Sequence, residues 1–80
     1  MKEYVLRDEK ANVVTVAPLR ILVRFLRDAC PQGEYSIEGP DADCTVYQDD
    51  GVLYPSSGTI RGVKISPRSL EKCQAFFEGQ

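Results

Sequence analysis

The sequence predicts one α+β domain over residues 1–80: an antiparallel sheet of four to six strands, element order ββαββββα, with two helices packed on one face. Three observations predict it. Short runs rich in β-branched and aromatic residues recur along the chain, two segments carry helical apolar spacing, and the runs are separated by turn residues too few for parallel crossovers.

Glu3-Tyr4-Val5-Leu6-Arg7 and Val13-Val14-Thr15-Val16-Ala17 read as strands, joined by the polar loop Asp8-Glu9-Lys10-Ala11-Asn12. Residues 18–29 read as a helix with Pro18 at its first position, where the missing N–H costs nothing. Leu19, Leu22, Phe25, Leu26 and Ala29 follow the spacing of one buried face. Pro31 ends the helix, because the residue before a proline is pushed out of the α region, and Gly33 lets the chain turn.

Tyr35–Glu38 alternates as a strand and stops at Gly39-Pro40. Cys44–Gln48 and Val52–Tyr54 flank Asp49-Asp50-Gly51, the clearest hairpin signal in the chain. Pro55-Ser56-Ser57-Gly58 reads as a further turn. Thr59–Ile65 reads as a last strand, with a bulge at Gly62 that returns Val63 and Ile65 to the buried face. Ser66-Pro67 reads as a helix start, Leu70, Cys73 and Phe77 share the inward face of that helix, and Gly79 ends it.

Composition narrows the function. The chain is 42% hydrophobic and 28% charged, as expected of a globular domain and not of a disordered one. It contains no His, which removes the commonest general base and the commonest metal ligand. Cys30, Cys44 and Cys73 form no C-x-x-C pair and read as small core residues, although one bridge between two of them stays open. Asp41-Ala42-Asp43 begins like a calcium loop but places Val46 where that loop needs glycine. No glycine-rich phosphate cradle is present. The expectation is a protein that is not an enzyme, with no metal and no cofactor. Met1–Asp8 lacks the apolar core of a signal peptide, and no run approaches the roughly 18 apolar residues of a membrane helix. The expected location is the cytoplasm.

Charge is the most informative feature. Glu34, Glu38, Asp41, Asp43, Asp49 and Asp50 fall in one stretch that contains no Lys or Arg, in a chain whose net charge is only −2. Such a cluster projects a field that attracts a basic surface and speeds encounter, though Asp also favours turns in its own right. Tyr47 and Tyr54 flank the acidic turn and are the tyrosines expected to face outward; Tyr35 and Tyr4 are expected in the core. These eight residues, with Tyr4 and Tyr35 set aside, form the candidate partner-binding set.

A second, basic set is Arg20, Arg24 and Arg27 on the first helix, with a weaker one of Arg61, Lys64, Arg68 and Lys72. The arginines could grip phosphates or an acidic protein, or simply be solvated.

The implied class is a protein-binding module that inhibits or adapts a larger partner with a basic or nucleic-acid-binding surface. Phage and mobile-element inhibitors of the anti-CRISPR type share this size and charge, an analogy that no residue motif carries. The rival readings are a nucleic-acid binder using the Arg set, and a homodimer whose role lies in assembly; monomer and homodimer are both compatible with the sequence.

Overall fold

Alternation of apolar and polar residues dictates the sheet. In the computed structural model, which describes residues 2–80, the elements are β1 (Tyr4–Asp8), β2 (Val13–Ala17), α1 (Leu19–Ala29), β3 (Gly33–Gly39), β4 (Ala42–Asp49), β5 (Val52–Ile60), β6 (Val63–Lys64) and α2 (Leu70–Glu78). The six strands form one antiparallel sheet in the order β2-β1-β3-β4-β5-β6. The fold is α+β.

One face of the sheet is core. Leu6, Tyr35, Ile37, Cys44, Val46, Leu53 and Ile60 pack there against Leu19, Leu22, Val23 and Leu26 of α1 and Cys73 and Phe77 of α2. α1 lies over β1 and β2, α2 over β5. Tyr4 and Tyr35 are buried as the sequence predicts. The three cysteines are unbridged, with Cys44 and Cys73 in the core.

Several local expectations are corrected. Pro55–Gly58 is not a turn: β5 runs straight through it. Thr45 pairs with Ser57 and Val46 with Pro55, so Ser56 is the extra residue of a β-bulge. Its hydroxyl donates to the Thr45 carbonyl at 3.2 Å. Proline is tolerated at a bulge, beside a strand segment that the two-residue β6 does not reach. Thr59–Ile65 is not one strand either. Ile60 pairs with Val63 across a two-residue turn, and Arg61 and Gly62 both adopt positive φ, 53° and 77°. Gly62 therefore reverses the chain and does not bulge it.

The helices shift by small amounts. Pro18 is the N-cap of α1, not its first residue, and its carbonyl accepts from Leu22 N at 2.9 Å. The buried stripe takes in Val23, while Phe25 (39% exposed) and Ala29 stay outside. α2 begins three residues after Pro67, with Ser69 as N-cap; the Ser69 hydroxyl accepts from Ser66 N at 3.0 Å and donates to Lys64 O at 2.6 Å. Leu70, at the first position of α2, is 43% exposed. Gly33 lies within β3; the chain turns before it.

Candidate functional site

Both helices occupy one face, so the other face of the sheet is open, and strand parity decides what it shows. On β3 the outward residues are Glu34, Ser36 and Glu38; on β4 they are Asp43, Thr45, Tyr47 and Asp49, alternating with core residues. Register aligns them into rows across the strands. Val16, Val5, Glu38, Asp43, Thr59 and Lys64 make one row, and Arg7, Ser36, Thr45 and Ser57 the next. Glu34, Tyr47 and Tyr54 make the third, and Asp49 and Val52 the last, at the hairpin end.

Directly opposed side chains on antiparallel strands are neighbours, so these rows bring together most of the predicted set. Glu34, Glu38, Asp43 and Asp49 share the face with Tyr47 (40% exposed) and Tyr54 (46% exposed). Glu38 and Asp43 oppose each other, a like-charge pair that costs stability. Arg7 partly relieves it, its Nε donating to Glu38 Oε1 at 2.8 Å. Among the described residues, Glu34, Asp43, Asp49 and Asp50 make no ion pair. The middle of the face is a shallow strip of Ser36, Thr45 and Ser57, small hydroxyl residues between two rows of larger ones.

The hairpin tip is anchored from below. Asp50 and Gly51 adopt φ of 51° and 84°, the paired left-handed turn that matches strand twist. Gln48 lies under it, a buried amide (3% exposed) in a core position. Its Nε2 donates to the Cys30 carbonyl at the end of α1 at 2.6 Å, and its Oε1 accepts from Gly51 N at 3.0 Å. Gln32 Nε2 donates to the Tyr47 hydroxyl at 3.0 Å, which fixes that ring against the face. Arg7, Gln32 and Gln48 escaped the sequence reading. Gln48 carried a signal, since it is polar at a position whose parity puts it with Cys44 and Val46.

Asp41 leaves the cluster. It sits in the β3–β4 turn, accepts a hydrogen bond from the Tyr4 hydroxyl, and lies 3.7 Å from both Lys2 Nζ and Arg61 Nε. The Tyr4 hydrogen bond, aided by the Lys2 and Arg61 charges, holds its carboxyl below the usual carboxylate range. A depressed carboxylate stabilises the fold above its unfolded value near about pH 4, and that contribution disappears as pH falls through the folded value. Urea unfolding from about pH 6 to about pH 2 is expected to show a shallower acid loss in Asp41→Asn than in the parent. Equal slopes would mean that Asp41 is not coupled to the fold.

The basic sets divide. Arg20 and Arg24 are exposed on α1, but Arg27 is taken: its guanidinium donates to the Phe77 and Gln80 carbonyls at 3.2 and 3.4 Å. There it satisfies carbonyls at the negative end of α2. Arg61 lies 5.4 Å over the Phe76 ring and shares a cavity with Lys72, whereas Lys64 ends the first row of the open face. These cations do not form one surface.

Burial pushes the Cys44 thiol up to about 12, which keeps it from forming a thiolate near neutrality. Burial also raises Cys30. Among the described residues, no three Cys, Asp or Glu side chains are grouped to hold a metal ion, and no helix is long and apolar enough to cross a membrane. Compared with protein-family models, curated proteins and solved structures, the chain matches none.

Proposed function

We propose that the open face of the sheet is a binding surface for a larger protein with a basic surface, which this domain inhibits or adapts without catalysing a reaction. The supporting observation is the gathering of Glu34, Glu38, Asp43 and Asp49 with exposed Tyr47 and Tyr54 on one face. The cations on that face are Arg7, already paired with Glu38, and Lys64 at its far end.

Unpaired carboxylates on a fixed sheet steer a basic partner toward the face. The tyrosines add rigid contact area that costs little side-chain entropy to order. The strip of Ser36, Thr45 and Ser57 leaves room for a partner's helix or strand to lie between the two larger rows. Asp50 contributes at the rim, and Asp41 is removed from the binding set. A partner that normally holds nucleic acid fits the same charge pattern, with carboxylates standing where phosphates would. The nucleic-acid reading of the chain itself keeps Arg20 and Arg24 but loses Arg27 to α2.

The test is capture of the partner from the native host by the parent domain and by Asp43→Lys/Asp49→Lys. The variant is expected to bind at least about tenfold more weakly, near 1.4 kcal/mol, with a flatter salt dependence. Undiminished binding by the variant would refute the acidic face. Loss on Arg20→Glu/Arg24→Glu instead, with retained shifts of DNA or RNA by the parent, would transfer the function to α1.

A further inference from the structure

β6 is only two residues long, so the sheet stops short near α2, which packs on β5. Between α2 and the β5–β6 hairpin lies a cavity of about 260 Å³. Ile60 and Cys73, both buried, form its floor, and the partly buried Val63 and Phe76 form its walls. The remaining lining residues are Arg61 and Lys72, both exposed. No carboxylate is among them. In a chain of net charge −2, this is a local excess of positive charge over apolar carbon. The larger cleft at the end of α1 is the opposite, with Asp8, Glu9 and Glu34 against Lys10.

The fold places each cation. Arg61 occupies the first of the two left-handed positions of the β5–β6 turn, at a φ of 53°, where Asn or Asp is favoured over a long side chain. Its Cζ lies 5.4 Å over the Phe76 ring and its Nε 3.7 Å from Asp41 Oδ2. Asp41 does not cancel this charge, since Lys2 shares the carboxylate at the same distance. Phe76 is steadied by an edge-on contact with Phe77, their ring centroids 5.7 Å apart. Lys72 and Phe76 stand one turn apart on one flank of α2. Glu71 and Glu78, the carboxylates of that helix, lie about 100° to 160° around the axis from them, at about 100° per residue. Among the described residues, Lys72 makes no ion pair.

The geometry points to a binding site for a small carboxylate with an apolar body, about the size of an arylacetate. Volume sets the size. An apolar cavity of about 150 Å³ suffices for benzene, so this one has room for a ring, a short linker and a carboxylate. Chemistry sets the class. Water against Ile60, Val63 and Phe76 finds few partners, and replacing it with an apolar group is favourable. The carboxylate meets the Arg61 fork and the Lys72 ammonium at the rim. Phosphate would satisfy the cations but leave the floor wet, and a neutral ring would fill the floor but leave the cations unmatched. The site uses no residue of the acidic face.

The experiment is titration of the nitrogen-labelled full chain, followed by its amide NMR shifts, with phenylacetate, phenylacetamide and inorganic phosphate at constant ionic strength. Phenylacetate is expected to move the amides of residues 60–63 and 72–76 and to half-saturate below about 1 mM. Phenylacetamide and phosphate are expected to bind at least about tenfold more weakly. Lys72→Glu is expected to weaken phenylacetate about tenfold or more, and Lys72→Arg, which keeps the charge, to bind within about twofold of the parent. Lys72 is exposed, so both variants keep the fold, and unchanged amide shifts in β1 and β3 check that they do. No saturation by about 10 mM phenylacetate, equal binding of the amide or of phosphate, or binding indifferent to Lys72→Glu would each overturn the site.

Discussion

Gly58→Ala is expected to destabilise the domain by about 3 kcal/mol, lowering its thermal midpoint by on the order of 15 °C for a chain of this size. Two costs add. Gly58 holds φ at +99°, a conformation L side chains rarely adopt, and a Cβ there would overlap the Asp43 carbonyl oxygen and crowd Cys44 Cα. Both neighbours are backbone of β4, so relief requires moving the strand that carries Asp43, Thr45 and Tyr47. Gly51→Ala is the internal control. Its φ is +84° but nothing lies within 4 Å of the added atom, so it should cost only about 1 kcal/mol. Thermal melts of the two variants that coincide would show that the close approach of β5 to β4 does not matter.

Gln48→Leu is expected to cost about 2 kcal/mol despite nearly equal volume. The loss comes from stranding the Cys30 carbonyl and the Gly51 N–H, which the buried amide serves together. Burying more carbon at that point returns part of the cost, because Leu belongs with Val46 and Leu53. The midpoint in urea should fall with an unchanged slope, since the surface exposed on unfolding barely alters. A Leu variant as stable as the parent would mean that water serves both groups equally well. The same substitution frees the hairpin tip from the end of α1, so Asp49 and Asp50 lose their fixed position at the rim of the acidic face.

How far the sequence could be read depended on whether the deciding contact was local. The element order and the outward set Glu34, Glu38, Asp43, Tyr47, Asp49 and Tyr54 were legible because period-two alternation assigns a residue to a face without knowledge of its partner. The bulge at Ser56 was not, because Pro, Ser, Ser and Gly suit a turn as well as a bulge, and only the register against β4 separates them. Phe25 and Val23 lie on opposite flanks of the same apolar stripe, and the position of β2 decides which flank is covered. Asp41 and Arg27 were misplaced for one reason. Their partners stand 37 and 50 residues away, so nothing in their own segments marks them as already engaged.

The parity of the strands has a consequence for how such a surface can change. Along β3, β4 and the start of β5, each core side chain alternates with a solvent-facing one, so the packed and the solvent-facing sets are threaded through the same backbone without sharing positions. Replacing an outward residue away from a cap, a bulge or a buried bond typically shifts stability by no more than about 0.5 kcal/mol. The chemistry that this face presents can therefore be rewritten residue by residue while the interior that holds the sheet stays untouched.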